Sequence, residues 1–148
     1  MVDLDPGVVA RIIVLVVLVI LSGFFSSAET ALTTVNKLRI RALTEEKSKR
    51  AIMVSKLIEN PSKMLSAILI GNNIVNLSAS SLATTLAIEY FQSIGAGVVT
   101  GILTIAILIF GEITPKSLAT TYAEKLSLFY APIILLLTYI LPPVSFLL

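Results

Sequence analysis

The segment Phe110-Gly111-Glu112-Ile113-Thr114-Pro115-Lys116 places a carboxylate, a proline and a lysine directly after the almost wholly apolar run 102–110. An ionisable group in this position is costly in hydrocarbon, so by default it marks a functional site. Because Pro115 has no N–H, the carbonyl four residues earlier, on Gly111, would lose its helical partner. In lipid such a carbonyl must face protein, water or an ion. With the Glu112 carboxylate beside it, the segment offers two hard oxygens that suit a small hard cation.

A second polar face is predicted on the first apolar helix, which extends over about 7–31. Ser22, Ser26 and Glu29 are spaced four and three residues apart, so one helical face carries two hydroxyls and a carboxylate. Gly23 permits close packing of a neighbouring helix or local unwinding. A carboxylate on the same face as two hydroxyls favours a polar cavity.

Three asparagines interrupt the next apolar helix, predicted over about 64–91, in the segment Gly71-Asn72-Asn73-Ile74-Val75-Asn76. Near the middle of a membrane they cannot all face lipid. Asn73 and Asn76 share one helical face, and Asn72 and Asn76 share another. One turn of this helix is therefore polar, and its partner is another helix, a second subunit or an ion.

Each of these groups also has an ordinary structural explanation. Glu112 and Lys116 are four residues apart, which is the spacing of a simple helical ion pair. Serines in membrane helices hydrogen-bond their own backbone, and asparagines join neighbouring helices. Spacing alone leaves these alternatives open beside a cation site.

The composition is that of an integral membrane protein. Of 148 residues, 56% are hydrophobic and 14% are charged, against about 25% charged in soluble domains. The absence of cysteine and histidine excludes thiol and imidazole chemistry and ordinary zinc, copper and haem sites. Oxygen ligands remain, and these favour magnesium, calcium, sodium or potassium. No nucleophile–base pair is recognisable, so we do not expect an enzyme.

Charge distribution predicts the topology. Eight of the eleven lysines and arginines lie in the segment 36–63, which we predict to be a cytoplasmic loop by the positive-inside rule rather than a nucleic-acid site. The N terminus is then outside, and its acidic leader argues against a cleaved signal peptide. A third helix is predicted over about 98–112. The segment 117–148 contains Pro132, Pro142 and Pro143, and is either a fourth span or a kinked helix along the interface.

Three segments together resemble the transmembrane domain of the CorC/cyclin M family. They are Ser-Gly-Phe-Phe-Ser-Ser-Ala-Glu-Thr-Ala at 22–31, Ile-Gly-Asn-Asn-Ile-Val-Asn at 70–76 and Gly-Glu-Ile-Thr-Pro-Lys at 111–116, and their order and spacing cover nearly the whole chain. The resemblance implies an all-α integral membrane homodimer in the plasma membrane, with three transmembrane helices and a kinked juxtamembrane helix (117–148) per subunit. The C terminus is then cytoplasmic. The resemblance also implies a cytosolic CBS-pair module downstream, through which alone ATP would act, so we expect this chain to be a fragment.

The same resemblance implies transport of Mg²⁺, chiefly efflux, with Na⁺ entry as the candidate coupling. It implies metal ligands from Ser22, Ser26, Asn73 (preferred over Asn72) and Glu112, which the Gly111 carbonyl joins on the proline argument. A second rank of residues would line the cavity, form a sodium site or only pack: Ser27, Glu29, Asn72, Asn76 and Lys116.

Two other functions remain open on the sequence. The chain could be a membrane anchor or sensor whose polar residues stabilise a dimer while a cytosolic module carries the activity. It could also be a passive cation pore, which would conduct without a sodium gradient. The anchor and the transporter differ over Glu112, which either holds assembly together or binds the ion.

Overall fold

The computed structural model describes residues 6–90 and 95–140, and within them the chain is helical with no strand. This confirms the all-α prediction. The elements are α1 (Pro6–Thr34), α2 (Lys37–Glu45), α3 (Lys49–Glu59), α4 (Pro61–Tyr90), α5 (Ala96–Leu108), a π-helical turn (Ile109–Ile113), α6 (Thr114–Thr121) and α7 (Ala123–Ile140). Pro142 and Pro143, in the last part of the predicted segment 117–148, lie outside the described residues.

Four helical stretches in the described part of the chain are long and apolar enough to cross a membrane. They are Pro6–Thr34, Pro61–Glu89, Gly97–Thr121 and Ala123–Ile140. Many large apolar side chains on them are exposed on this chain, among them Ile13, Leu77 and Ile105, as expected where lipid or another subunit is the neighbour. The chain is therefore a multi-pass membrane protein.

Helix α1 is central and runs antiparallel to α4. It packs against α4, against the π turn and α6, and against α7. The contacts are close because glycines face bulky partners: a Cβ on Gly71 would lie 2.6 Å from ring carbons of Phe25, and one on Gly23 would lie 3.1 Å from Cγ of Pro115. Small residues let membrane helices approach in this way.

The segment predicted as a cytoplasmic loop, 36–63, contains two helices. The Asn36 side chain caps α2 by accepting from the amides of Leu38 and Arg39, and Ser48 caps α3 by accepting from the amide of Ala51. Their buried positions include Ile40, Ala51, Val54 and Leu57. Most of the polar residues stay exposed, so the basic segment forms a helical pair that covers the end of α1 with an apolar face.

Two internal prolines do not end their helices. The predicted helix 98–112 continues without a break to Thr121, because the backbone passes Pro115 through the π turn. In α7, Pro132 cannot donate to the carbonyl of Leu128, and Arg50 of α3 donates to it instead through Nη1 at 3.2 Å. The same nitrogen lies 3.3 Å from the carbonyl of Phe129. Arg50 thus holds α7 against α3 where α7 lacks a backbone hydrogen bond.

Candidate cation site

A chain of hydrogen bonds joins α1, α4 and the π turn in the middle of the bundle. The Ser22 hydroxyl lies 2.6 Å from Oδ1 of Asn76 and 3.3 Å from the carbonyl oxygen of Gly111, and it can donate to either. The Asn76 amide nitrogen donates to Oε1 of Glu112 at 3.1 Å. The structure thus brings together four of the predicted residues on three separate elements. Three of them, Ser22, Gly111 and Glu112, were predicted as metal ligands, and Asn76 was in the second rank.

Gly111 is placed as the proline argument predicts. Its carbonyl, which Pro115 cannot satisfy, faces protein and accepts from Ser22. The glycine itself is needed for this approach, because a Cβ there would lie 3.0 Å from Ser22 Oγ and 3.3 Å from Ser22 Cβ. The π turn that contains Gly111 adds a residue to the helical register, a feature frequent at functional sites.

The cluster has more acceptor oxygens than protons to share among them. The Ser22 hydroxyl has one hydrogen, so at any moment either the Asn76 Oδ1 or the Gly111 carbonyl lacks it. The Glu112 carboxylate needs a donor, which fixes the Asn76 amide with its nitrogen toward Glu112 and its oxygen toward Ser22. Three oxygens, Ser22 Oγ, Asn76 Oδ1 and the Gly111 carbonyl oxygen, therefore lie around one shared proton. A cation could bind all three.

Two further buried oxygens lie one helical turn away. Ser26 is fully buried, and neither its Oγ nor Oδ1 of Asn72 has a hydrogen-bond partner within the described residues. Because α1 and α4 are antiparallel, with Ser22 against Asn76 and Phe25 against Gly71, Ser26 and Asn72 lie at the same depth. Each unsatisfied buried polar group lowers the stability by about 1–3 kcal/mol. A ligand bound by both oxygens would recover that free energy.

Apolar packing closes the polar cluster on both sides. Toward the N-terminal end of α1, Leu15 packs with Ala79, Ala83 and Leu86 of α4. Toward the other end, Phe25, Ala28 and Leu32 pack with residues of α2, α3, α4 and α7. The cluster therefore lies between two apolar layers along α1 and α4, while Asn76 and Glu112 are half-buried. The neighbouring apolar side chains strengthen the electrostatic interactions of the buried groups.

Four predicted residues do not join the cluster. Asn73, which we preferred over Asn72, is exposed on α4, since it lies about 100° around the helix from its neighbour. The Ser27 hydroxyl contacts the Phe24 carbonyl at 3.0 Å and the Tyr130 hydroxyl at 3.1 Å, a packing role. Glu29 is half-buried about two turns along α1 from Ser22, and Lys116 is exposed on α6.

Glu112 is the single carboxylate of the cluster. Among residues 6–90 and 95–140, no group of three acidic side chains could hold a metal ion. The ion pairs found there join Arg11 to Glu89 and Arg39 to Glu124, so the Glu112–Lys116 pair is not formed. The cluster is therefore mostly neutral, which favours weak and reversible cation binding.

Sequence reasoning missed two features of α1 and α4. Asn76, placed in the second rank, is the residue that links Ser22 to Glu112. Arg11 and Glu89 form an ion pair at the other end of the same helices. An antiparallel pairing of the two helices could have predicted both contacts, because facing residues then have a nearly constant sum of residue numbers. That sum is 98 for Ser22 and Asn76 and 100 for Arg11 and Glu89.

Comparison with known proteins agrees with this architecture. The family model described as "Cyclin M transmembrane N-terminal domain" matches residues 13–148. A "UPF0053 protein" of Haemophilus influenzae is 42% identical over 91% of this chain and 32% of its own length. The "UPF0053 inner membrane protein YfjD" of Escherichia coli is 37% identical over 72% of the chain and 25% of its own length. A "Polyamine export protein" of Haemophilus influenzae is 26% identical over 89% of this chain and 34% of its own length. The chain thus spans about a third or less of these relatives.

Proposed function

The chain belongs to the cyclin M transmembrane-domain family, and we propose that it is the membrane domain of a magnesium transporter. The observation that carries this proposal is the oxygen-rich cluster of Ser22, Asn76, Gly111 and Glu112, which joins α1, α4 and the π turn. Transport of this kind needs positioning and release of an ion and no covalent chemistry. We assign the N terminus to the outside of the plasma membrane and the C terminus to the cytoplasm.

The available groups fit the coordination of magnesium. Mg²⁺ takes about six oxygens at about 2.0–2.1 Å and usually keeps some water. The proposed ligands are the hydroxyls of Ser22 and Ser26, the Gly111 carbonyl and one Glu112 oxygen, with an asparagine carbonyl from α4. For the asparagine we propose Asn72 or Asn76, because Asn72 has a buried Oδ1 without a partner within the described residues and Asn76 contacts Ser22, whereas Asn73 is exposed on this chain.

Ion binding must replace the hydrogen bonds of the cluster. A cation cannot share the space between Ser22 and Gly111 with a hydroxyl proton, so the Ser22 hydrogen turns away when the ion enters. If the Asn76 oxygen or the Glu112 carboxylate then binds the ion, the Asn76–Glu112 hydrogen bond lengthens or breaks. Ion occupancy thereby changes how α4 is held to the π turn, which is the coupling that alternating access requires. Na⁺, another hard cation, would compete for the same oxygens and so provide the coupling.

The position of α7 favours three spans and a juxtamembrane helix. Its first turn pairs Glu124 with Arg39 of α2, and near its end the Tyr139 ring lies beneath Lys63 of α4. Both basic residues belong to the segment 36–63, on one side of the membrane. Eighteen residues of helix are about 27 Å long, and a spanning helix of that length would place its ends on opposite sides.

A polar stripe on α4 favours a homodimer. Asn73, Leu77, Ser80 and Thr84 follow one another at helical spacing and all are exposed on this chain. Three polar side chains along one stripe are costly against lipid. A second copy that presents the same stripe would pair them by hydrogen bonds and close small-residue packing.

The test of the proposal is magnesium binding by the detergent-solubilised chain, wild type against Glu112→Gln, with size-exclusion chromatography on both. We expect saturable binding by wild type and at least a tenfold loss in the variant, with unchanged elution, because the variant lacks the single charged ligand. Lys116→Gln is the matched control and should bind as wild type does. Equal binding by wild type and Glu112→Gln would exclude the site. If Glu112→Gln instead breaks the dimer and no chain binds magnesium, the chain is an anchor.

Two further arms separate the transport alternatives. In proteoliposomes, magnesium flux that needs a sodium gradient supports coupled transport, and flux without one supports a passive pore. The relative named as a polyamine export protein motivates a second candidate substrate, since carboxylate and amide oxygens also accept hydrogen bonds from ammonium groups. Spermidine that displaces magnesium from wild type, and is itself transported, would favour that substrate.

A further inference from the structure

A cavity of about 420 Å³ lies where the end of α3, the first turn of α4 and the last turns of α7 meet. Lys56 and Lys63 line it together with Tyr139, and Leu57, Met64 and Leu135 contribute apolar surface. The Lys63 ammonium lies 5.5 Å from the centre of the Tyr139 ring. A lining of this kind has a cationic part and an apolar part.

The two lysines are available to an external anion. Within residues 6–90 and 95–140, neither ammonium lies within ion-pair distance of a carboxylate. Glu59 is the one acidic residue in the described lining, and its carboxylate accepts from the Ser55 hydroxyl at 3.3 Å. The cavity therefore has a net positive lining.

The surroundings of the cavity point to an amphiphile. Leu136, Tyr139 and Ile140, at the end of α7, are exposed apolar side chains, so an apolar surface continues outward from the basic lining. Lys63 is in the first turn of α4, which begins a candidate membrane span, and is thus at headgroup depth. Basic pockets between helices on the cytoplasmic side bind phosphate-bearing head groups.

We propose that this cavity binds the phosphate head group of an anionic phospholipid, with the acyl chains along the exposed face of α7. Lys56 and Lys63 contact the phosphate, and the lipid holds the end of α7 to the start of α4. This assignment rests on the surface position of α7 given under the proposed function, and it is independent of which ion is transported.

The test measures phosphatidylglycerol retained by the detergent-solubilised chain, with phosphatidylcholine as the zwitterionic comparison and native mass spectrometry as the readout. Lys56→Gln/Lys63→Gln should weaken phosphatidylglycerol binding about 25-fold, since each basic residue near an anionic surface contributes about fivefold. Lys47→Gln/Lys49→Gln is the matched control, because it removes the same charge from exposed residues outside the cavity. It should change binding less than threefold.

A variant that gains binding distinguishes a direct effect from misfolding, because a misfolded chain would lose lipid binding. Glu59→Gln removes the carboxylate from the lining and should tighten phosphatidylglycerol binding several-fold, whereas Glu46→Gln, on an exposed residue elsewhere, should not. Equal losses in the two lysine pairs would mean non-specific attraction and overturn the proposal. So would equal retention of both lipids, or inorganic phosphate that competes as well as the lipid does, which would make the ligand a soluble anion. A Glu112→Gln chain that loses magnesium and keeps the lipid separates this site from the ion site.

Discussion

At the scale of single residues, prolines leave two backbone carbonyls without a helical donor, one in the candidate cation site and one in α7. Pro115 frees the Gly111 carbonyl, which Ser22 contacts, and Pro132 frees the Leu128 carbonyl, which Arg50 contacts. The two donors differ in charge, since one is a neutral hydroxyl and the other a guanidinium. The buried Ser22 hydroxyl is a neutral donor that a cation could replace at the Gly111 carbonyl, whereas Arg50 supplies a charged donor, which makes the stronger hydrogen bond.

Gly111→Ala tests how closely the π turn must approach α1. A methyl group there would meet Ser22 Oγ at 3.0 Å and Ser22 Cβ at 3.3 Å, so the turn must move by a few tenths of an ångström or more. Because Mg²⁺ demands near-ideal octahedral geometry, we expect at least a tenfold loss of magnesium affinity in an equilibrium titration. Elution on size exclusion should be unchanged.

The control for this substitution is Gly101→Ala on α5. Nothing lies within 4 Å of a Cβ at that position, and alanine is the better helix former by about 1 kcal/mol. The variant should bind magnesium as wild type does and be no less stable. Retained affinity in Gly111→Ala would show that the Gly111 carbonyl is not a ligand.

At the scale of elements, the sequence predicted what hydrophobic patterning controls and missed what tertiary contacts control. The apolar runs predicted the three membrane helices, since a long apolar segment has few other structures open to it in lipid. The third was predicted only as far as residue 112, whereas the helical stretch continues to Thr121. The short helix α2 was not predicted, because its stability comes from the Asn36 cap and from burial of Ile40, and a nine-residue helix is marginal alone. The π turn was also missed, since Pro115 by itself is compatible with a helix end, a kink or a bulge.

The same reasoning explains the mixed result at the site. Gly111 is where the argument from Pro115 placed it, because that argument concerns one backbone bond. The choice of Asn73 over Asn72 stays a prediction, and Asn73 is exposed on this chain. Neighbouring asparagines point about 100° apart, and only the rotation of α4 decides which one faces α1. Asn76 is selected by its antiparallel register with Ser22, which a single-helix pattern does not contain.

Arg50 and Pro132 form a pair that a double-mutant cycle can test. Arg50→Met leaves the Leu128 carbonyl without its donor and should lower the free energy of unfolding by about 1–2 kcal/mol. Pro132→Ala restores an N–H that can reach that carbonyl, so in this background Arg50→Met should cost less than half as much. Denaturant titration in detergent, followed by circular dichroism, measures all four chains. Strict additivity of the two changes would show that Arg50 acts by another route.

At the scale of the whole molecule, α1 connects the candidate cation site to the basic helical pair and α7. One side of it faces α4 through the ion cluster, and its end rests on the basic helical pair and α7. In the transport mechanism proposed above, ion occupancy would alter the contact between α4 and the π turn. Helix α7, which contacts α1, α3 and α4, would then carry that change to the basic helical pair. A phospholipid bound as proposed in the cavity at the end of α7 would then limit how freely α7 moves.

The polar stripe of α4 predicts where two copies meet. The chain contains no cysteine, so each single cysteine introduced on α4 is a unique cross-linking site. In oxidising membranes, single substitutions along Asn73, Leu77, Ser80 and Thr84 should give disulfide dimers at one or two adjacent positions. Two parallel copies of α4 that cross have equivalent residues close enough for a disulfide, with Cα atoms about 4.4–6.8 Å apart, only near the crossing point.

Ile13→Cys is the matched control, because Ile13 is likewise exposed but belongs to α1 instead of α4. It should remain monomeric on a non-reducing gel under the same oxidation. Dimers at Ile13 and at the stripe alike would indicate random collision in the bilayer, and dimers at Ile13 alone would assign the interface to α1. A cross-link at position 73 or 77 would place Asn73 against a second subunit. That contact would explain a polar residue that is exposed on its own chain.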